Sequence, residues 1–231
     1  MRHALLRAGG AVALHQFSGT PGSEFTGIAG YTWDGAVHEV SAEWRIPALL
    51  DPTRGGKLGT FVAVRGQGDA SIQVGVLDVA AGTNVSYSAS LSWSNGPHNH
   101  SAALVHALSP GDLMRAELTL SSLGWKVLLS DASIGWASTT SVPVGNADSA
   151  LWIQIVPPGP TPETTRVRFT NIEVNGKHPG YLSVNTYCSA NGVTQFIPSY
   201  PEHMVSSFSI LTYTEIGRHY QGPRCLPNAE Y

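Results

Sequence analysis

Nine residues constrain this chain more than any others. From Val85 to Trp93, apolar and aromatic side chains (Val85, Tyr87, Ala89, Leu91, Trp93) alternate with serines (Ser86, Ser88, Ser90, Ser92). A period of two over that length describes a half-buried antiparallel strand, with one face on a core and one face polar. The same reading extends along the chain. Val37 to Ile46 alternates around Val40, Ala42 and Trp44, and Pro47 ends it because proline cannot donate to a ladder. Phe61 to Gly66 and Ser71 to Val76 are two β-prone runs joined by the turn-rich Gly66-Gln67-Gly68-Asp69. Met114 to Leu120 and Trp125 to Ser130 form a hairpin pattern. Ala150 to Val156, Arg166 to Val174, Gln195 to Ile197 and Phe208 to Tyr213 supply further strands. Asn175-Gly176 is a strong reverse-turn pair.

No helical period runs beyond about ten residues. Many short strands with turn signals at about ten-residue spacing predict an all-β fold, an antiparallel β-sandwich of two packed sheets. The spacing is not an exact repeat, which argues against a propeller or a β-helix. Low charge with 25 glycines and 15 prolines among 231 residues suits a turn-rich β protein. Three regions are expected: a disordered leader or linker over 1–27, the sandwich domain over 28–214, and a C-terminal tail over 215–231.

A net charge of -3, without a basic stripe, points away from nucleic acid. No apolar run reaches the roughly 20 residues of a membrane span. The first residues are basic and apolar, but Arg7, Gly9 and Gly10 interrupt any continuous apolar stretch. The two cysteines, Cys188 and Cys225, sit in the last fifth of a lysine-poor, Gly/Ser/Thr-rich chain. That setting suggests an exported, extracytoplasmic protein with one disulfide clipping the tail, with two free thiols as the alternative. Such a bridge would add roughly 3–4 kcal/mol on the chain-entropy model. Asn84-Val85-Ser86 and Asn99-His100-Ser101 match the glycosylation triplet.

His98 and His100 share a strand face if they lie on a strand, and His106 is near in sequence. Gly96-Pro97 instead suggests a solvated loop tip, and no metal or other cofactor is expected. No Gly-x-Ser-x-Gly elbow and no phosphate-binding loop is present. Trp136 follows Gly135 and reads as the exposed tryptophan. Gln73 stands on the face of its strand opposite Ile72 and Val74, so it points either to solvent or into a polar site.

Taken in order, the motifs resemble the glutamic endopeptidases, the eqolisin family, over most of the chain. Gly30-Tyr31 with Val40-Ser41-Ala42-Glu43-Trp44-Arg45-Ile46-Pro47 is similar to that family's "GY…VSGxWxVP". Ile72-Gln73-Val74-Gly75 is similar to "IQTG", Tyr87 to Trp93 to "YxAWYEW", and Ser109-Pro110-Gly111-Asp112 to "SPGD". Ala150 to Ile155 is similar to "AEWIxE", and Val167 to Asn171 and Ser206 to Ile210 to the closing strands. The resemblance implies a concanavalin-like sandwich whose concave sheet face carries a glutamine–glutamate pair. There the glutamate serves as base and then acid, and the glutamine holds water and stabilises the oxyanion.

Gln73 stands at the glutamine's place. The last position of "AEWIxE" is Ile155, its first glutamate is Leu151, and the glutamate of "YEW" is Ser92. The tryptophan before "GY" is Ile28, and an acidic site position is Arg65. Isoleucine and leucine cannot move a proton. The resemblance therefore implies a monomeric, peptidase-like sandwich, degenerate in catalysis, that binds an extended peptide or a polysaccharide. Ser92, Trp93, Trp152 and Gln154 are expected to line its groove. Two alternatives stand beside this reading. One is an active acid endopeptidase using a displaced carboxylate (Glu43, Asp69, Asp78, Glu117 or Glu163), and the other is a concanavalin-like carbohydrate-binding module.

Overall fold

The computed structural model describes residues 27–96, 98–156, 162–185, 187–188, 195–202 and 205–212. The expected leader, apart from Gly27, and the expected tail with Cys225 lie outside these residues, and so does the pairing of Cys188 with Cys225.

The described residues form two antiparallel sheets. In chain order the strands are β1 (Gly27–Val37), β2 (Glu39–Arg45), β3 (Gly56–Arg65), β4 (Ser71–Ala81), β5 (Asn84–Asn95), β6 (His98–Leu104), β7 (Leu113–Ser121) and β8 (Gly124–Asp131). They continue with β9 (Trp136–Val142), β10 (Ala147–Val156), β11 (Val167–Val174), β12 (Ser183–Asn185), β13 (Tyr187–Cys188), β14 (Gln195–Pro198) and β15 (Phe208–Thr212). One 3-10 turn, Pro52–Arg54, interrupts the pattern. The seven-stranded sheet has the order β12-β1-β10-β3-β4-β5-β6, and the eight-stranded sheet the order β13-β14-β15-β11-β2-β7-β8-β9. The fold is the antiparallel β-sandwich that the alternation predicts.

Period two sorts each strand between core and outside. Ala89 and Leu91 of β5 are buried in the core, with Tyr87 and Trp93 packed against its margin. Val85, at the strand's start, is 37% exposed, because the ladder there runs past the covered part of the sheet. Trp44, Trp125, Trp152, Phe169 and Phe208 fill the space between the sheets. Two indoles find backbone acceptors there. Trp152 Nε1 donates to the Ser41 carbonyl at 3.0 Å and Trp125 Nε1 to the Gly145 carbonyl at 2.8 Å. The first of these ties the two sheets together, since Trp152 is on β10 and Ser41 on β2.

The expected turns are present. Asn175 and Gly176 take φ values of 53° and 70°, the left-handed pair of a tight reversal. The Asn175 side chain also accepts from the His38 amide at 2.7 Å and donates to the Ala36 carbonyl at 2.9 Å, fastening the β1–β2 corner. Gly75 is required for a different reason. A Cβ there would fall 2.0 Å from the Thr60 carbonyl oxygen and 2.9 Å from Cδ1 of Phe61. Gly75→Ala is expected to cost about 1–3 kcal/mol through overpacking. Urea unfolding measures it, and a midpoint equal to the parent's would show that the neighbours give way freely.

Two expectations are corrected. His98-Asn99-His100 is not a loop tip. Gly96, at φ 65°, reverses the chain so tightly that β6 begins at His98, with Trp93 opposite His100. Trp136 is not an exposed turn residue. It opens β9, half-buried, and its ring lies parallel on the His106 imidazole with centroids 4.2 Å apart. His106 in turn is held by the buried carboxylate of Asp131, Nε2 to Oδ2 at 3.2 Å, rather than lying in a solvated loop.

Candidate functional site

The outer face of the seven-stranded sheet is set by register. Gln73 on β4 pairs with Ala63 on β3 and with Ser92 on β5, and Ala63 pairs with Leu151 on β10. One row across the sheet therefore reads Thr32, Leu151, Ala63, Gln73, Ser92, Ser101. The next row reads Gly30, Ile153, Phe61, Gly75, Ser90, Ala103. The face has two halves. Over β10 and β3 it is an apolar strip of Leu151, Ile153, Ile155, Phe61 and Ala63, closed to solvent, with Ile28 packed against it. Over β5 it is a line of part-exposed serines, Ser88, Ser90 and Ser92.

Gln73 sits at the seam between the halves and is 2% exposed. Its Nε2 donates to Ser92 Oγ at 2.7 Å, while its Oε1 has no partner among the described residues. Further up the face Ser71 and Ser94 share a hydrogen bond of 2.9 Å, and the Ser94 hydroxyl reaches the Asp69 carbonyl. Gln73 and Ser92 thus form one polar contact with an acceptor oxygen left over. This geometry can orient a water or a ligand N–H, but it holds no group able to take up a proton.

The position facing Gln73 on β10 is Leu151, two strands away, about 10 Å between backbones at ordinary strand spacing. Ile155 shares the face but lies four residues further on, about 13 Å along the strand. It pairs with Gly59, and Gly59 pairs with Leu77. In this register Leu151, rather than Ile155, is the residue across from Gln73.

The other residues expected in the groove face the other way. Trp152 and Gln154 alternate with Leu151, Ile153 and Ile155, so both are buried between the sheets. Trp93 shares that inner side at the margin, stacked on His100 with centroids 5.1 Å apart. Of the four, only Ser92 stands beside Gln73. Phe61, Ala63 and Thr32 share the outer face and were missed, because cross-strand register is not written in any single strand.

The candidate replacement acids are scattered. Glu43 accepts from Asn171 Nδ2 at 2.7 Å, and Glu117 lies 3.3 Å from Arg115, both on the eight-stranded sheet. Asp78 is buried between the sheets. Glu163 precedes β11, where its carbonyl accepts from the Leu50 amide at 2.8 Å. Only Asp69, exposed in the β3–β4 turn, belongs to the end of this face. Among the described residues no three His, Cys, Asp or Glu side chains are grouped to hold a metal ion.

No curated protein sequence is significantly similar to the chain. Solved structures are. Scytalido-glutamic peptidase with a peptide-based transition-state analogue matches with a TM-score of 0.64 at 18% identity, covering 80% of this chain and 97% of that one. SCP-B, a member of the eqolisin family of peptidases in complex with the tripeptide Ala-Ile-His, matches with a TM-score of 0.58 at 18% identity, covering 80% and 97%. At that identity the likeness establishes the sandwich. The model of the Peptidase A4 family matches residues 23–196, most of the chain. The chain belongs to the Peptidase A4 family, the glutamic endopeptidases that its motifs resemble.

Proposed function

We propose that this protein is a Peptidase A4 sandwich that keeps a peptide-binding face but has lost the acid–base pair of a glutamic peptidase. The observation that supports it is the row in which Gln73 looks across Ala63 at Leu151. A glutamine amide can hold water and hydrogen-bond an oxyanion, but general base catalysis needs a group that accepts a proton and later returns it. An extended peptide would lie along the serine half of the face, over β4 and β5, where hydroxyls can meet its backbone. The solved relatives carry a peptide-based analogue and a tripeptide, which favours peptide over glycan. The face also offers no exposed tryptophan on which a sugar could stack, since Trp93 and Trp152 are turned inward.

The experiment pairs the parent chain with Leu151→Glu and measures cleavage of denatured protein across the acidic range. The parent is expected to cleave nothing. Leu151→Glu places a carboxylate in register with Gln73 and is expected to bring acid-range cleavage, which Gln73→Ala removes again. Parent cleavage that Gln73→Ala abolishes would sink the proposal and send the search for the acid to Asp69. A folded Leu151→Glu chain without activity would show that the missing acid is not the only loss. We also place the protein outside the cytoplasm, as an exported protein of this family. Fractionation of the source cells, with the chain found in the cytosol, would contradict that.

A further inference from the structure

On the inner side of the same sheet a second polar group is left over. Gln154 on β10 pairs directly with Thr60 on β3, and Thr60 is diagonal to Asp78 on β4, since Thr60 pairs with Val76. All three are fully buried. Both amide atoms of Gln154, the Thr60 hydroxyl and both carboxyl oxygens of Asp78 have no hydrogen-bond partner among the described residues. A fourth orphan lies on the inner side of the other sheet. Trp44 lies on β2 between Ser41, which accepts from Trp152, and the continuation at Leu49, whose amide donates to the Tyr87 hydroxyl at 3.3 Å. Tyr87 is the cross-strand partner of Asp78, and the Trp44 Nε1–H has no partner either.

Five unpaired polar atoms at adjoining positions of one sheet, with a sixth on the inner side of the sheet opposite, are not an ordinary residue of folding. Native interiors satisfy nearly all such groups, with protein or with ordered water. The elements packed on Asp78 bring no cation to it. β3 offers Leu58 and Thr60, β5 offers Tyr87, and the buried faces of β7 and β8 are apolar (Ala116, Leu118, Val127, Leu129) up to Asp131, whose carboxylate already engages His106 at 3.2 Å. Arg54 in the neighbouring 3-10 turn is turned to the exposed Asp51 at 3.0 Å. We infer that Asp78, Thr60 and Gln154, with Trp44 opposite, form an internal water site that requires the neutral acid form of Asp78.

The donor set selects water over a metal ion. Gln154 Nε2 and Trp44 Nε1 are donors only, and they would oppose a cation at the same point. A hard cation would also need six or more oxygens, against the four that these side chains offer. Water both donates and accepts, so two molecules bonded to one another can accept from the indole, the amide nitrogen and the acid O–H, and donate to the remaining oxygens. Burial pushes the Asp78 carboxyl well above its ordinary range, in keeping with a neutral acid at this point.

A crystal structure of the whole chain at acidic pH, grown with and without calcium chloride, tests the site. The expected result is at least one water bonded to two or more of Asp78, Thr60 and Gln154, unchanged by calcium. Direct side-chain bonds with no water between them would overturn the inference. So would a peak ringed by oxygens at metal distance that appears with calcium. Where crystals fail, water-oxygen relaxation dispersion counts long-lived internal waters in solution. Thr60→Val is expected to hold at least one fewer than the parent, and an equal count would refute the site.

Discussion

Trp152→Ala is expected to be the most damaging single change among the residues singled out in the sequence. The indole is completely buried between the sheets, so truncation removes a large apolar body and leaves a cavity. Such changes cost about 3–5 kcal/mol. That is a large share of the 5–15 kcal/mol by which a domain is typically stable. Truncation also strips the Ser41 carbonyl of its donor across the sandwich. For a domain of this size the melting temperature should fall by roughly 6–20 °C. Trp152→Phe separates the two contributions. It keeps most of the packing and loses the hydrogen bond, so its cost should be nearer 1–2 kcal/mol. Calorimetry on both variants provides the check. A Trp152→Ala chain that melts with the parent would mean that the ring does not hold the sheets together, and a groove role would regain force.

This contrast shows what alternation alone could and could not deliver. It was enough for the sandwich, because each strand states its own two faces, and the serine strand β5 states them most clearly. Carried through β10, the same alternation turns Trp152 and Gln154 away from Leu151 and Ile155, against the place in the groove expected for them. It could not say which residue of β10 stands across from Gln73, because that depends on the pairing of β10 with β3 and of β3 with β4. Register here is a property of three strands, of which β10 lies some way along the chain from β3 and β4, and a motif lined up by letters does not contain it. The short strands β12 and β13 and the edge strand β9 escaped for another reason. Two are only three and two residues long, and Trp136–Val142 is mostly Ala, Ser and Thr, with little apolar contrast to count. Trp136 reads as a turn residue because its order comes from His106 and, through it, Asp131, a tertiary contact that local composition does not announce.

The buried carboxyl of Asp78 leads to the second large effect, on stability as a function of pH. Desolvation is the cause of its raised pKa, so the folded state holds the proton more tightly than the unfolded chain does. At pH values below the ordinary 3.8, both states carry the protonated acid and the folded state keeps its full advantage. Above that value the unfolded chain ionises while the folded one does not. Stability then falls with rising pH, by about 1.4 kcal/mol per pH unit from this one group. The fall continues until the pH passes the folded-state pKa, where Asp78 ionises in place and no further loss accrues. Tyr87, whose hydroxyl is raised by burial and by its neighbour Asp78, adds its own dependence only in the alkaline range. Asp78→Asn keeps a neutral polar head and has no proton to lose. Its urea midpoint should therefore decline less steeply than the parent's between mildly acidic and neutral pH, and the two curves should diverge in its favour as pH rises. Parallel curves would show that Asp78 ionises in the folded chain as readily as in the unfolded one, through a partner or an opening that its complete burial argues against.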